Sequence, residues 1–154
     1  MASSLPPTTA TASETAATPS ANFPKPLDDV IRTNILRPKT SRTKKQKEAK
    51  EEVLIIEVES SCNVYSKFDV YVNDEDERPS TENRTKTEYA GSFVNVPHGQ
   101  SHGNLMKTSC VKFGLTELID DLGADDDEGI DVICVPRTGT ESVVIKDVRI
   151  EFLG

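Results

Sequence analysis

The residues best suited to metal chemistry are His98 and His102, the only two histidines in the 154-residue chain. A spacing of four would place both imidazoles on one helical face, as in half of a metal site. Pro97, Gly99 and Gly103 disfavour a helix there, and no third ligand is evident nearby. We therefore expect loop histidines without metal, and a chain that holds no metal or other cofactor of its own.

Two acidic clusters are the next candidates for chemistry. Neither has the alternating ligand spacing and internal glycine of a calcium-binding EF-hand loop, so we expect solvated turns whose carboxylates could contact a partner domain. The chain also lacks a nucleophile motif and a phosphate-binding glycine loop, so catalysis is not predicted. The candidate interface carboxylates are Asp74, Glu75, Asp76, Asp125, Asp126 and Asp127.

The three cysteines, Cys62, Cys110 and Cys134, show no metal-type spacing such as C-x-x-C. Each lies within or beside an apolar segment, so we expect three buried, reduced thiols. One disulfide is the alternative, although an odd number of scattered cysteines makes a poor disulfide framework.

The composition of the chain differs between its first 22 residues, which we call the leader, and the remainder, which we call the body. Residues 1–22 are rich in Ala, Ser, Thr and Pro, with few apolar side chains, and predict a disordered linker that gives way to a folded unit near Phe23. The net charge of −8 argues against nucleic-acid binding, which requires a basic surface. No apolar run approaches the roughly 20 residues that span a bilayer, so we predict no membrane span.

The sequence of the body predicts mainly β-strands. Residues 53–58 form a continuous apolar run, as in a central strand covered on both faces. Alternation predicts further strands at residues 67–73, 89–96, 106–115, 130–135 and 142–152, with an edge strand inside 27–36. Gly91 indicates a bulge or a close backbone approach.

A short helix is predicted at residues 116–122, with Thr116 as its N-cap and Gly123 as its C-cap. Residues 39–52 are predicted to be a charged, solvated loop and a protease target. Together these elements predict an all-β fold: an antiparallel β-sandwich or jelly-roll-like barrel of about seven strands with one short helix.

The motif Lys67-Phe68-Asp69-Val70 carries a resemblance to a known family. With residues 88–98, 107–109, 114–124, 135–137 and 148–153, in this order, it resembles the C-terminal (KFDV) domain of plant polyphenol oxidases, which are catechol oxidases and tyrosinases. The resemblance covers roughly residues 23–154. The leader is similar to the spacer that joins this domain to the copper domain.

The resemblance implies a regulatory role. In latent polyphenol oxidases this domain packs over the type 3 copper site and blocks access of phenols and catechols until proteolysis in the connecting segment releases it. The implied partners are the catalytic copper domain of the same protein and an activating protease, and the implied location is the chloroplast thylakoid lumen. The chain would be no enzyme on its own.

Such a shield needs a side chain that fills an apolar substrate pocket. Leu105 and Met106, which follow the glycine-rich loop 97–104, are the first candidates, and a strand-start role in the core is their alternative. Phe93 and Val94 are the second pair. Two other functions stay open: an independent β-sandwich binding module, and a domain that assists self-cleavage of the pro-enzyme.

Overall fold

The computed structural model describes residues 22–74, 87–97 and 105–154, and the predicted linker at 1–22 lies outside them except for its last residue, Asn22. Two helices are present in this part of the chain, α1 (Lys44–Ala49) and α2 (Thr116–Leu122), with a 3-10 turn at Thr140–Ser142. The strands are β1 (Lys25–Pro26), β2 (Ile31–Leu36), β3 (Glu51–Ser61), β4 (Ser66–Asp74), β5 (Thr87–Asn95), β6 (Met106–Gly114), β7 (Gly129–Thr138) and β8 (Val144–Leu153).

The eight strands form two four-stranded sheets with the orders β1-β8-β3-β6 and β2-β7-β4-β5. Every pairing is antiparallel, and the sheets stay separate over the described residues. The predicted antiparallel β-sandwich is therefore confirmed, in preference to a closed barrel. As predicted, β2 is an edge strand.

Strand β3 is central and buried on both faces, as its apolar run predicted. Leu54, Ile56 and Val58 belong to the core between the sheets. On the outer face, Ile55 is also buried, and its cross-strand neighbours are Lys112 and Arg149, whose long aliphatic stems can cover it.

The KFDV motif on β4 follows the period-two alternation of a strand. Phe68 and Val70 are fully buried, and the ring of Phe68 stacks on that of Phe93 with 5.1 Å between centroids. Gly91 lies at a β-bulge in the β4–β5 pairing. A Cβ atom there would lie 2.6 Å from the Phe113 ring, so both parts of the Gly91 prediction are confirmed.

The long strand β3 gives the sandwich two ends. Its last residue, Ser61, pairs with Met106, whereas Glu52 pairs with Phe152. At about 3.3 Å per residue, these two ends lie roughly 30 Å apart along the strand. Helices α1 and α2 and the acidic turn at residues 124–128 adjoin the Glu52 side, which we name the charged end after Arg37, Glu52 and Asp125.

Residues 39–52 correct the sequence interpretation, because they are not a solvated loop. They contain α1 and the start of β3, and both Arg42 and Glu52 are buried. Helix α1 begins with a capping box between Thr43 and Gln46. The charges are buried because Glu52 pairs with Arg37 and Arg42 donates to the carbonyls of Gln46 and Lys50, which a local pattern does not reveal.

Two smaller predictions are also wrong. Leu115, not Thr116, is the N-cap of α2, and the Thr116 hydroxyl instead accepts a hydrogen bond from the Glu52 backbone N–H at 2.9 Å.

Cys134 is buried, but Cys62 is half-buried and Cys110 is exposed, because Cys110 lies on the outward face of edge strand β6. All three thiols are free. Gly123 is the C-cap of α2, as predicted.

Candidate functional site

Exposed apolar side chains gather at the Ser61 end of the sandwich. The described part of the chain exposes ten large hydrophobic side chains, and six of them lie at this end, each between 37 % and 58 % exposed. Scattered single hydrophobic residues are normal on a protein surface, whereas a local concentration indicates an interaction site. We define the apolar end by these six residues: Val64, Tyr65, Val94, Val96, Leu105 and Met106.

Hydrogen bonds fix the segments that carry these side chains. The Cys62 backbone N–H donates to the Leu105 carbonyl at 2.8 Å, which ties the β3–β4 turn to the start of β6. Asn95 is 3 % exposed, and its amide donates to the Ser61 carbonyl at 3.0 Å and the Val64 carbonyl at 2.8 Å. Asn95 therefore joins the end of β5 to the same turn, and the apolar end has a rigid base.

Gly139 supports the β3–β4 turn from below. It adopts φ 62°, and an added Cβ would overlap the Tyr65 carbonyl oxygen at 2.0 Å. Only glycine combines this left-handed backbone with such a close approach. The β3–β4 turn, which contains Val64 and Tyr65, thus packs directly against the residues that follow β7.

The structure separates the four candidate plug residues. Leu105 and Met106 are exposed, so the alternative that they are strand-start core residues is not supported. Val94 is also exposed, and it lies at the same end. Phe93 is 5 % exposed and stacks in the core, so it cannot reach a partner in this conformation.

The outward residues of the KFDV motif contribute to a polar network on the outer face of β4. The Asp69 carboxylate accepts hydrogen bonds from the Ser92 hydroxyl at 2.5 Å and from Arg137 Nε at 2.7 Å. Arg137 also donates to the Tyr71 hydroxyl at 3.2 Å. The Ser92 hydrogen bond, followed by that of Arg137, lowers the pKa of Asp69 from its ordinary value. The fourth motif position, Val70, is a core residue.

The candidate interface carboxylates that the structure describes lie away from the apolar end. At the charged end, Asp125 pairs with Lys47 at 3.0 Å, and Asp126 accepts from the Ser41 hydroxyl at 2.5 Å. The Asp127 carbonyl accepts from Arg37 at 2.9 Å. Asp74 ends β4 at the same end of the sandwich, since it pairs with Ile130. Glu75 and Asp76 lie outside the described residues.

Arg37 is the centre of the charged end. Burial alone would lower the pKa of Arg37, but its hydrogen bond and charge interaction with Glu52 outweigh that effect and raise the pKa. Sequence reasoning missed Arg37, Glu52 and Asn95. Their only signal is a polar residue inside or beside an apolar strand, and that signal does not identify a partner.

Metal binding finds no support in the described residues. Within 22–74, 87–97 and 105–154, no three His, Cys, Asp or Glu side chains come together as metal ligands. His98 and His102 lie outside these ranges. In the same part of the chain, no helix is long and apolar enough to cross a bilayer.

The sequence itself matches a described family, the chloroplastic polyphenol oxidase C-terminal domain, over residues 23–152. The chain belongs to this family. The match spans the whole sandwich, including the KFDV motif and both ends, so the resemblance noted from the sequence is confirmed.

Individual relatives agree with this assignment. The chain is 44 % identical over 135 residues to the chloroplastic (+)-larreatricin hydroxylase of Larrea tridentata, covering 85 % of this chain and 23 % of that protein. The solved structure of a latent apple tyrosinase matches with a TM-score of 0.71 and 42 % identity, over 86 % of this chain and 28 % of the other. A latent aurone synthase (polyphenol oxidase) matches with a TM-score of 0.74 and 31 % identity, over 86 % and 26 %.

This chain thus spans about a quarter of the length of the proteins that it matches. Both solved neighbours are described as latent.

Proposed function

We propose that this chain is the shielding domain of a latent polyphenol oxidase, and that its apolar end covers the entrance to the copper site of the catalytic domain. The single observation that carries the proposal is the concentration of exposed apolar side chains at the Ser61 end. In a free domain these side chains contact water, and their burial against a partner is favourable by about 25 cal/mol per Å² of apolar area.

Leu105 is the best candidate for the side chain that enters the substrate pocket. It is 56 % exposed, against 43 % for Met106, and its carbonyl is held by the Cys62 N–H. Leucine has no atom that can bind a metal, whereas the thioether of Met106 is a soft ligand for copper(I). Leu105 would therefore block the copper site without ligating it, and Met106 and Val94 would pack around the entrance.

Release follows from loss of the covalent connection. A tether holds a domain at an effective concentration on the order of millimolar for a short flexible linker. Cutting that tether would let a modest apolar contact dissociate, although no contact at the interface changes. Because residues 37–52 are folded into the domain, we place the releasing cut before Phe23 and not in this charged segment.

The function of the longer protein extends the proposal. The catalytic domain would oxidise phenols or catechols with copper, and this chain would contribute no copper ligand of its own. The family and several relatives are described as chloroplastic, which supports a chloroplast location; within the chloroplast we propose the thylakoid lumen.

The test is catechol oxidation by the uncleaved longer protein carrying Leu105→Ala, compared with the wild type. We expect an increase of roughly five- to tenfold, because a smaller side chain lets substrate in. After proteolytic release of the domain, both proteins should have equal activity. Val30→Ala is the matched control, since Val30 is 50 % exposed but lies outside the apolar end; it should leave latency unchanged.

Thermal melting of each variant separates loss of the plug from loss of the fold. If Leu105→Ala, Met106→Ala and Val94→Ala all leave latency unchanged while the domain stays folded, the apolar end is not the shielding surface. Activation by Val30→Ala to the same degree would also contradict the assignment.

A further inference from the structure

A pocket of about 270 Å³ opens at the charged end, between α1 and β8. Its wall combines an aromatic ring and aliphatic groups with three positively charged side chains. The lining residues are Lys39, Arg42, Gln46, Ala49, Lys50 and Phe152.

The guanidinium of Arg42 is buried in the wall of this pocket. Its Cζ atom lies 4.3 Å from the centroid of the Phe152 ring, a cation–π contact. Its Nη1 donates to the carbonyls of Gln46 at 3.1 Å and Lys50 at 2.8 Å. Its Nε and Nη2 have no hydrogen-bond partner among the described residues.

The described residues that line the pocket include three positively charged side chains and no carboxylate. The carboxylate that faces Arg42 from behind the wall is Glu52, with Oε1 3.9 Å from Nη2, but Glu52 already accepts two hydrogen bonds from Arg37. Arg37 also interacts with Asp125 and Asp127, so the positive charge in excess lies on the pocket lining. Lys39 and Lys50 add two further positive charges to the pocket wall.

We propose that this pocket binds a small aromatic carboxylate. The ring would pack on Phe152 and Ala49, and the carboxylate would face Lys39 and Lys50. The volume is sufficient, because an apolar cavity of about 150 Å³ in another protein binds benzene. A simple anion would make no contact with the apolar wall, and an uncharged ring would leave the positive charge of the lysines without a partner. A ligand that has both a ring and a carboxylate therefore fits the pocket best.

The ligand site is separate from the shielding surface. Phe152 pairs with Glu52 at the charged end, whereas Leu105 adjoins Met106 at the apolar end. Success or failure of one proposal therefore says nothing about the other. Gly154 lies against Lys50. In the 154-residue chain used for the titration, the carboxylate of Gly154 is therefore a competing source of negative charge, which the experiment distinguishes from a free ligand.

The experiment is an NMR titration of the ¹⁵N-labelled 154-residue chain with 3-phenylpropanoate. We expect saturable shifts of the amides of Ala49, Lys50 and Phe152. In parallel titrations, 3-phenylpropan-1-ol and sulfate should bind at least about tenfold more weakly, since each lacks one of the two features. Raising the salt concentration should weaken binding of 3-phenylpropanoate, because the lysines are at a solvent-accessible rim.

Variants locate the site. Phe152→Leu keeps an apolar side chain but removes the ring, and should weaken binding about three- to tenfold. The pair Lys39→Gln with Lys50→Gln should weaken it to a similar degree. Lys112→Gln, which removes one charge on β6, is the control and should change affinity less than about twofold. Melting temperatures of all variants verify that the fold is intact.

Three results would overturn the proposal. Equal shifts with sulfate alone would identify a simple anion site. Shifts that survive in a folded chain with Phe152→Leu, Lys39→Gln and Lys50→Gln together would place binding elsewhere. Binding that occurs only when the carboxylate of Gly154 is converted to an amide would show that this carboxylate is the occupant.

Discussion

Arg37 and Glu52 form a two-pronged ion pair in which both side chains are at least 98 % buried. Arg37 Nε donates to Glu52 Oε2 at 2.8 Å, and Nη2 donates to Oε1 at 3.0 Å. Arg37 Nη1 also donates to three carbonyls of the acidic turn, those of Ala124, Asp125 and Asp127. The Arg37 side chain therefore connects the end of β2, the start of β3 and the turn after α2.

Removing one partner of this pair should destabilise the domain strongly. Arg37→Met removes both hydrogen bonds to the buried Glu52 carboxylate and leaves only the guanidinium of Arg42, 3.9 Å away, and breaking a buried pair costs about 3–5 kcal/mol. Arg149→Met is the control, because Arg149 pairs with Asp147 and Glu151 on the surface, where an ion pair contributes less than about 1 kcal/mol. Urea unfolding of both variants measures the difference. Equal losses would mean that burial does not decide the strength of the Arg37 pair.

A protease test follows from the same contacts. Residues 39–50 contain five lysines, yet the segment is held by Ser41 and Lys47 contacts to the acidic turn. We expect trypsin to cut after Lys44 or Lys45 slowly in the wild type, and at least about tenfold faster in Arg37→Met, because each 1.4 kcal/mol of lost local stability is a tenfold rise in the open population.

Mass spectrometry of timed digests identifies the bonds that are cut. The leader provides an internal comparison: it contains no Lys or Arg before Lys25, so an elastase-type protease that accepts Ala is needed there. From its composition we expect residues 1–21 to be removed first. Rapid wild-type cleavage after Lys44 would contradict the folded state of this segment.

The limits of sequence reasoning here are physical. Alternation at β4 predicted the inward Phe68 and Val70, because a period of two directly reports which face is buried. The charged segment at 39–52 was misread, because Glu52 is buried against Arg37 and Ser41 is bonded to a turn roughly 85 residues later in the sequence. Local hydrophobicity carries no information on such distant partners.

Strand β6 shows a second reason why the sequence alone does not predict which side chains are exposed. Its residues alternate in the sequence, but alternation alone does not say whether the outer face of an edge strand is covered. Cys110 and Met106 share the outward face, and both are exposed. The fold class could thus be predicted and Leu105 could be named as a candidate, but its exposure and the bonds of Asn95 and Cys62 that position it could not.

The cysteines should differ sharply in reactivity. Burial raises the pKa of the Cys134 thiol to about 12, so at pH 8 only about one thiol in ten thousand would be the reactive thiolate. Cys110 is exposed and Cys62 is half-buried. A disulfide reagent that releases a coloured thiolate should label Cys110 first, Cys62 more slowly, and Cys134 only after unfolding. Cys110→Ser should remove the fast phase; persistence of that phase would contradict the assignment.

The final prediction concerns pH and the KFDV motif. Hydrogen bonds from Ser92 and then Arg137 lower the pKa of Asp69 below its ordinary value of 3.8. A group with a lowered folded pKa stabilises the fold above its unfolded pKa, and that contribution is lost as the pH falls through the folded value. The stability difference between wild type and Asp69→Asn should therefore be largest near neutral pH and should shrink below about pH 4.

Ser92→Ala provides the matched comparison for Asp69. It removes the largest cause of the lowered pKa and keeps the carboxylate, so the acid-dependent loss of stability should be smaller than in the wild type and should be complete at a higher pH. Denaturant unfolding at a series of pH values measures both effects. A stability difference between wild type and Asp69→Asn that stays constant from pH 7 to pH 3 would show that Asp69 acts through its shape and hydrogen bonds alone, since the two side chains differ mainly in charge.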